Sequence, residues 1–514
     1  MSKTALYTLP KDTRHFIVLS SLRGISILFE FVASVSVVGL FALFLLRLYR
    51  QWKAKVCNEP PLIPYWIPYI GNAIAFGINQ TKLFASASSV SPEKRIASMT
   101  LMGHRVYVVT RTKDVAAVYR AQELQFEPMI VWGLGTMFGL SKEAQSLLEK
   151  EPCGPNSSLI FQSNPFFHRV LSKGEDLDTF SERFLFSIMD QLNLLENTIH
   201  SSPNQRLEVD LIQWVRTCIG TATTTAFLGP EFLLHTPDLL KWNWKFESDI
   251  STFQSQYPRM MAREAYQNRE RLIQVFLNAY KARDADLKDA VWWLRQAQIM
   301  SADGGMKDRD IAIMTLGTWT ATANNNNLMA FWFVLNCVLH PGLVDSLRQE
   351  TGKSLDTPLD MDRIAQRPLL SSVLNETMRH YSTASSNRRA TKDVVIAGYT
   401  LRKGSVVMCP VQLHHFDVVV WGEDAKEFVP TRFVREEWKG DENLIRPFGG
   451  GKSLCPGRFF AINSITAFTA LLLDKFNIIV AAEQTIPTVS KSASNIGVGV
   501  PTNDVKAVIQ CRKA

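Results

Sequence analysis

The sequence contains few cysteines, and none of them are arranged in pairs. Its 514 residues include seven cysteines, an odd number. They are scattered along the chain without a CxxC motif, at Cys57, Cys153, Cys218, Cys337, Cys409, Cys455 and Cys511. This pattern excludes a disulfide framework and a zinc knuckle. Because unpaired thiols are typical of reducing surroundings, most of the chain is expected to face a reducing compartment.

The chain also lacks any concentration of charge. Charged residues make up 20% of it, the net charge is +8, and the Lys and Arg residues are dispersed. Without a zinc finger or an aromatic–basic platform, nothing indicates a nucleic-acid partner. The positive charge favours lipid head groups or an acidic protein as partners. The apolar fraction of 46% is ordinary for a globular protein, and the length allows one large enzyme or two to three domains.

A long hydrophobic run is present near the N-terminus. Residues 25–46, ISILFEFVASVSVVGLFALFLL, contain a single charge, Glu30. At about 1.5 Å per residue, this run spans the roughly 30 Å hydrocarbon core of a bilayer. A signal peptide fits poorly because no cleavage site follows, and basic residues on both sides leave the orientation open. We predict a tail at 1–24 and one transmembrane anchor at 25–46.

A stiff proline-rich stretch follows the predicted anchor. Residues 59–77 contain four prolines, which favour an extended strap ending near a turn at Gly71. Residues 47–77 are therefore interpreted either as a hinge that orients a folded body at 78–514 or as a plain linker. Within that body, 104–110 and 394–416 read as strands, and most of 112–380 reads as helix. The predicted fold class is mainly α with a minor β part.

One helix, predicted over 310–341, should run through the interior because it is apolar nearly all round. Asp310 is the expected cap and Pro341 the expected end. Four consecutive amides, Asn324 to Asn327, lie at its middle. They face every side of the helix, so some must be buried, at about 1–3 kcal/mol for each one left unpaired. We predict that this stretch lines a pocket.

The stretch FGGGKSLCPG, residues 448–457, places a cysteine after a run of glycines. Gly449 and Gly451 permit a positive φ and a close approach of backbone to a flat group. Cys455 lies just ahead of a predicted helix, where backbone N–H groups and the helix dipole favour a thiolate. An electron-rich thiolate suits iron as a ligand. A nucleophilic cysteine would need a histidine partner, and none is indicated nearby.

The loop resembles the haem-binding loop of the cytochrome P450 family, Phe-Gly-x-Gly-x-(Arg/His)-x-Cys-x-Gly. Phe448, Gly449, Gly451, Cys455 and Gly457 match it at the right spacing. The resemblance implies the P450 fold and a heme b cofactor (iron protoporphyrin IX), with Cys455 as the metal ligand and Phe448, Gly449 and Gly451 as cofactor-binding residues. Ser453 departs from the pattern, since the family usually has Arg or His there to pair with a haem propionate.

Other motifs of the family follow in the expected order. Glu376 and Arg379 match its Glu-x-x-Arg helix, and Arg432 supplies the third member of a buried structural cluster. Arg389 is the expected propionate contact after that helix. The family's Trp-x-x-x-Arg contact is absent, and Lys173 is the candidate to replace its charge.

The long helix departs from the family at its oxygen-binding motif. Asn325 and Asn326 align with the acid–alcohol pair that relays protons in oxygen-activating members, so both are candidate catalytic residues. Neither amide titrates, but both can hold water. These residues resemble the branch that includes cholesterol 7-alpha-hydroxylase and prostacyclin synthase.

The resemblance implies a membrane-anchored monooxygenase that hydroxylates or epoxidises a lipophilic small molecule, such as a terpenoid, a sterol or another secondary metabolite. It would use O₂ and electrons from an NADPH-cytochrome P450 reductase-like flavoprotein. A lipid membrane, the endoplasmic reticulum with the catalytic domain in the cytosol, is the expected location. Two alternatives stay open: a haem-thiolate isomerase or dehydratase acting on a peroxide, and a haem-binding protein without turnover.

Overall fold

A computed structural model describes residues 56–512, with gaps at 68, 94–95, 150–158, 283–286, 353–354, 356–358, 437–444, 482 and 491–496. It also describes scattered positions between 38 and 52. The predicted tail at 1–24 lies outside the described residues, and the predicted anchor at 25–46 lies largely outside them. The description of the fold therefore concerns the predicted body and the strap before it.

Helices dominate the described chain, as the sequence predicts. Their bounds in chain order are α1 Ala73–Ile78, α2 Gln80–Val90, α3 Thr112–Arg120, α4 Glu127–Gly133, α5 Lys142–Glu149, α6 Leu159–Val170, α7 Glu175–Ser201, α8 Leu211–Leu228, α9 Glu231–His235, α10 Leu239–Ser248, α11 Ile250–Gln254, α12 Arg263–Ala282, α13 Trp292–Asp303, α14 Asp308–Leu339, α15 Leu343–Thr351, α16 Met361–Ala365, α17 Pro368–Tyr381, α18 Val411–His415, α19 Val418–Trp421 and α20 Arg458–Lys475.

The strands are short and form small sheets. Their bounds are β1 Ile96–Leu101, β2 His104–Val109, β3 Leu124–Gln125, β4 Arg206–Asp210, β5 Ser385–Ala390, β6 Val394–Ile396, β7 Tyr399–Leu401, β8 Val406–Pro410, β9 Phe476–Val480 and β10 Lys506–Cys511. Five strands pair in the order β1-β2-β8-β5-β3, three in the order β4-β10-β9, and β6 pairs with β7. The β2–β8 pair is parallel. The predicted strands are confirmed at 104–110 and over the first part of 394–416, with Gly398 and Gly404 at positive φ in the turns, but Val411–His415 forms helix α18 instead of strand.

The proline-rich strap ends at the turn that the sequence predicts. It is extended from Glu59, and Leu62 forms a bridge with Ser98 of β1. The chain then turns at Gly71, where φ is +60° and a Cβ would lie 2.2 Å from the Thr100 carbonyl oxygen. Helix α1 begins at Ala73, directly after the turn that the sequence predicts at Gly71. The turn ends the strap because only glycine tolerates that backbone approach.

Helix α14 is the interior helix that the sequence predicts. Most of its residues are buried, and Trp319 and Trp332 are among the largest fully buried side chains. It begins at Asp308, and Asp310 does not cap it. The Asp310 carboxylate instead accepts hydrogen bonds from the Ser141 amide and hydroxyl, both at 2.9 Å, and so joins α14 to the start of α5. A tertiary partner has therefore replaced the expected local cap.

Within the described part of the chain, no single helix has both the length and the apolar character to cross a bilayer. Helices α14 and α15 together meet that test by length and composition only, and they are bent by 113° at the break between them.

Candidate active site

The glycine-rich loop adopts the backbone that the sequence predicts. Gly449 and Gly451 have φ values of +77° and +64°, a region that favours glycine. The Cys455 N–H donates to the Phe448 carbonyl oxygen at 3.0 Å, which closes the loop into a compact turn. Helix α20 begins at Arg458, so Cys455 lies just ahead of its N-terminus. The loop thus holds the sulfur by backbone rather than by packed side chains.

Helix α3 packs against the other side of this loop. A Cβ at Gly450 would lie 2.7 Å from the ring of Tyr119, and a Cβ at Gly451 would lie 2.6 Å from the Tyr119 carbonyl oxygen. Both distances are far below ordinary contact, so side chains at these positions would displace the loop. The consecutive glycines therefore let the loop lie directly on α3, a contact that no pattern in the sequence indicates.

The electrostatics of Cys455 differ from the expectation of a lowered pKa. Burial raises the pKa of the Cys455 thiol, and the Gly457 N–H and Arg458 lower it only in part. Burial disfavours the charged form of any acid, and the backbone donors do not outweigh that cost here. A coordinated metal ion would deprotonate the thiol outright. The thiolate is therefore a form that metal coordination, rather than the loop by itself, stabilises.

The residues present fit a porphyrin better than a bare metal ion. Among the described residues, no group of three or more His, Cys, Asp or Glu side chains lies close enough to hold a metal. A single thiolate suits an iron whose other ligands come from a macrocycle. Gly457 is also consistent with this arrangement. A Cβ at this position would lie 3.9 Å from Cys455 Sγ, so glycine leaves more space beside the sulfur for a flat group.

The Glu376, Arg379 and Arg432 cluster lies buried as predicted. Arg379 makes a bidentate pair with Glu376 at 2.8 Å for both bonds, and Arg432 Nε donates to Glu376 Oε1 at 3.1 Å. Burial acts to raise the pKa of Glu376, but hydrogen bonds from Arg379, His380 and the Val429 N–H outweigh it and lower that pKa to about 2. The cluster joins α17 to the segment at 424–432.

The cations predicted to meet the haem propionates lie in different environments. Arg389 is exposed on β5, whereas its neighbour Arg388 is only 3% exposed and donates to the Gly450 carbonyl oxygen at 3.3 Å. Lys173 is half exposed and pairs with Asp362 at 2.7 Å. The structure therefore brings Arg388 to the cysteine loop, whereas Arg389, the predicted propionate contact, lies on the exposed face of β5. Successive side chains of a β-strand point to opposite faces, so only one of these two neighbours on β5 can face the loop.

Helix α14 has one accessible stripe within an otherwise buried surface. Ala321 and Asn325, one turn apart, are exposed, and Gly317, Thr318 and Thr322 beside them are half-buried. This side of α14 is therefore not covered by packed side chains, as the predicted pocket wall requires.

Three of the four asparagines point away from that stripe into the core. Asn324 Oδ1 accepts from the Asn243 side chain of α10, and Asn326 Nδ2 donates to Ser464 Oγ of α20 at 3.1 Å. Asn327 is fully buried, and neither polar atom of its side chain has a hydrogen-bond partner in the described structure. Asn326, one of the two candidate catalytic residues, is therefore buried against α20 and does not lie on the accessible stripe.

Asn325 alone among the four is exposed. Its Oδ1 accepts from the Val498 N–H at 3.3 Å, and a Cβ at Gly497 would lie 1.9 Å from the same oxygen. The Gly497 carbonyl in turn accepts from the Thr383 and Ala384 N–H groups at 2.9 and 3.0 Å. Asn325 therefore meets the C-terminal segment that also contacts the end of α17, and no pattern in the sequence indicated this contact.

Comparisons with known proteins support a haem-thiolate site at Cys455. The family model for cytochrome P450 matches residues 60–507. The chain is 25% identical over 467 residues to cytochrome P450 monooxygenase poxD of Penicillium oxalicum, covering 84% of this chain and 90% of that protein. It is 21% identical over 491 residues to cholesterol 7-alpha-monooxygenase of Cricetulus griseus, covering 88% and 94% of the two chains. The fold is similar to that of retinoic acid-bound cyanobacterial CYP120A1, with a TM-score of 0.70, 16% identity, and coverage of 89% and 100%. The chain belongs to the cytochrome P450 family and is a heme b oxidoreductase.

Proposed function

We propose that this chain is a membrane-anchored monooxygenase that hydroxylates or epoxidises a lipophilic small molecule, such as a terpenoid, a sterol or another secondary metabolite. The observation that carries the proposal is the Cys455 loop, whose backbone closure and positive-φ glycines hold one thiolate ligand ahead of α20. Bound haem would supply reductive activation of O₂ and transfer of one oxygen atom to the substrate. Similarity to a cholesterol monooxygenase supports a lipophilic substrate.

In this proposal, individual residues of the chain have distinct roles around the haem. Cys455 donates through sulfur, and Arg458 Nη1 holds the Cys455 carbonyl oxygen at 3.1 Å, which keeps the loop against α20. Asn325 and Thr322 lie on the accessible stripe of α14, where an amide and a hydroxyl can hold water by hydrogen bonds. In the proposal they replace the family's acid–alcohol pair as a neutral, water-mediated relay.

A second candidate is a haem-thiolate isomerase or dehydratase that rearranges a peroxide without O₂. The absence of a titratable side chain at Asn325 and Asn326 favours it, because a proton relay is unnecessary when the oxygen–oxygen bond arrives in the substrate. The two candidates differ in their electron requirement. Only the monooxygenase needs a flavoprotein reductase as partner, and the net charge of +8 suits an acidic reductase surface.

Two measurements on the full chain test the proposal. Reduced protein exposed to carbon monoxide should show the red-shifted Soret band of a thiolate-bound haem, and Cys455→Ala should abolish both that band and activity. Candidate lipophilic compounds are screened for a low-to-high-spin shift, and a hit should stimulate reductase-dependent NADPH oxidation with formation of an oxygenated product. Turnover of a peroxide with no reductase would instead support the isomerase.

The membrane part of the proposal rests on residues 25–46 and on the basic residues that follow them. The proposed location is the endoplasmic reticulum, with the body at 78–514 in the cytosol. The full chain in microsomes should stay in the pellet after alkaline carbonate extraction, and added protease should digest the body without detergent. Release into the supernatant would contradict the anchor, and protection from protease would contradict the orientation.

A further inference from the structure

A π-helical turn, Leu134–Phe138, continues helix α4 and lies against the accessible stripe of α14. A Cβ at Gly317 would lie 3.2 Å from Leu134 Cδ2, so this leucine covers the stripe at that glycine. π-Helical turns are rare, and they frequently occur at functional sites. The group that holds this turn in place therefore affects the shape of the pocket wall.

Arg269 of α12 binds the end of the π turn. Its Nη1 donates to the Thr136 carbonyl oxygen at 3.4 Å and to the Met137 carbonyl oxygen at 3.2 Å. The last carbonyls of a helical segment have no partner within the segment, and a cation beside them also meets the negative end of the helix dipole. Arg269 thus serves as a cap that comes from a distant part of the chain.

The residue that ends the turn makes room for this cap. Gly139 has a φ of +79°, in the region that favours glycine, and its N–H donates to the Leu134 carbonyl oxygen. A Cβ at Gly139 would lie 3.2 Å from Cζ of Arg269, which is closer than ordinary contact. Glycine at this position therefore both ends the turn and lets the guanidinium group reach the carbonyls.

Aromatic rings hold the guanidinium group from another side. Cζ of Arg269 lies 4.8 Å from the centroid of the Phe253 ring and 4.8 Å from that of the Tyr266 ring. The Phe253 ring packs on Phe246 at 5.6 Å between centroids, and Phe246 packs on Phe138 of the π turn at 5.2 Å. The contacts form a closed circuit that runs from the turn through α10, α11 and α12 and returns to the turn through Arg269.

The burial of Arg269 distinguishes this contact from ordinary packing. The side chain is only 8% exposed, and its Nε has no hydrogen-bond partner among the described atoms. A buried cation is costly, whereas an apolar side chain of similar length would fill the space beside the rings without that cost. The charge is therefore useful where it has acceptors, which is at the carbonyls of the π turn.

We propose that Arg269 is a positioning residue that fixes the π turn and thereby sets, through Leu134, how large a group fits between the turn and α14. The inference rests on the proposed haem-thiolate function, because it assigns the space beside the stripe to ligands of the iron. It also narrows the substrate. The end of the stripe at Gly317 accepts a compact part of the molecule, since Leu134 occupies the space that a bulkier group needs.

Two nitrogen ligands of haem iron measure this space without requiring a substrate. Imidazole and 4-phenylimidazole coordinate through the same kind of nitrogen and differ by one phenyl ring, and each shifts the Soret band on binding. Their dissociation constants are measured for the haem-loaded full chain as wild type, Arg269→Met, Leu134→Ala and Arg271→Met. Arg271 is the matched control, because it is an exposed arginine of the same helix whose guanidinium carbon lies 5.0 Å from the centroid of the Trp242 ring.

The ratio of the two dissociation constants should depend on Leu134 and on Arg269. Arg269→Met and Leu134→Ala should each improve binding of 4-phenylimidazole relative to imidazole by about three- to tenfold, because a crowding side chain moves away or is removed. Arg271→Met should keep the wild-type ratio. Hydrogen exchange gives a second readout, in which the Gly139 and Leu140 amides, both bonded to the Leu134 carbonyl oxygen, should exchange at least about tenfold faster in Arg269→Met.

The possible failures are distinguishable. A wild-type ratio in Leu134→Ala would show that this leucine does not border the pocket, and a wild-type ratio in Arg269→Met would overturn the role of Arg269. A wild type whose Soret band responds to neither ligand would overturn the proposed function instead. If Arg269→Met fails to fold, Gly139→Ala, which crowds the guanidinium group, should change the ratio in the same direction, and an unchanged ratio there would contradict the proposal.

Discussion

The Asn326 side-chain amide donates to the Ser464 hydroxyl at 3.1 Å, which joins the middle of α14 to α20. Ser464 lies in α20, the helix that follows Cys455, and its hydroxyl also donates to the Ala461 carbonyl at 3.1 Å. Asn326 is therefore a packing contact between the pocket wall and the helix behind the cysteine loop. Its neighbour Asn325, on the exposed stripe, is the amide that meets the pocket.

This contrast predicts different effects for two adjacent substitutions. Asn326→Ala should lower the free energy of unfolding by about 1–3 kcal/mol, because it leaves the buried Ser464 hydroxyl without one partner. Asn325→Ala should leave stability nearly unchanged and should shift the ratio of peroxide released to product formed by about two- to tenfold, the value of one neutral hydrogen bond. Urea unfolding and coupled NADPH, peroxide and product assays check the two effects.

Haem content serves as the control for both variants and should stay at the wild-type level. If Asn326→Ala uncouples turnover while Asn325→Ala does not, the relay runs through the α14–α20 contact, and the assignment to the accessible stripe is wrong.

The Glu376 cluster predicts a pH dependence of stability. The pKa of Glu376 is lowered to about 2 in the folded chain, from an ordinary value near 4.5. A lowered carboxyl pKa contributes stability above the unfolded pKa and loses it as the pH falls from about 4.5 to about 2. A shift of this size corresponds to roughly 3 kcal/mol. Glu376→Gln, which cannot titrate, should lack this part of the acid dependence.

Urea unfolding of both proteins between about pH 7 and pH 3 measures this difference. Glu376→Gln should be less stable at neutral pH by about 3–5 kcal/mol, since it leaves Arg379 and Arg432 buried without their carboxylate. The gap should narrow below pH 4.5 as the wild type loses its advantage. A difference in unfolding free energy that stays constant over this range would show that folding does not lower the pKa of Glu376.

Two glycines of the loop allow the cost of a positive φ to be separated from the cost of a steric clash. Gly449→Ala should cost about 1–2 kcal/mol, which is the cost of a positive φ alone. The nearest atom to the added Cβ is the Ser453 carbonyl oxygen, at an ordinary contact distance of 3.5 Å. Gly451→Ala has the same φ cost and also places a Cβ 2.6 Å from the Tyr119 carbonyl oxygen, which is backbone and cannot rotate away. Gly451→Ala should therefore be the more destabilising and should lose more haem.

Thermal unfolding and haem-to-protein absorbance ratios measure the two variants side by side. Equal losses would mean that the backbone conformation alone sets the requirement for glycine, and that contact with α3 contributes nothing to it.

Local sequence was sufficient for the parts of the site whose residues are contiguous. The cysteine loop could be predicted because its glycines, Cys455 and the following helix lie within a few turns of chain, where spacing determines geometry. The Glu376–Arg379 pair was predictable for the same reason, since residues three apart lie on one face of a helix. The strand at 104–110, the strands between 394 and 410 and the interior helix also follow from periodicity and composition.

Contacts between distant segments decided the rest. Arg388 rather than Arg389 faces the loop because the pairing of β5 with β8 sets which side of the strand is covered, and a shift of one residue reverses the side. Lys173 is engaged by Asp362, far along the chain. Asp310 binds the Ser141 amide and hydroxyl ahead of α5 instead of capping its own helix, because Ser141 lies within reach only in the folded chain.

The four asparagines show this division most clearly. Composition alone determined that four amides in one turn of an apolar helix could not all reach solvent. Which one meets the pocket, which ones are paired and which one is left without a partner depend on where α10, α20 and the Gly497–Val498 segment pack around α14. The sequence by itself thus determined the ligand and its loop, because those depend on short-range backbone geometry. The tertiary structure decided which side chains surround them, because burial and pairing are properties of neighbours that the chain brings together only on folding.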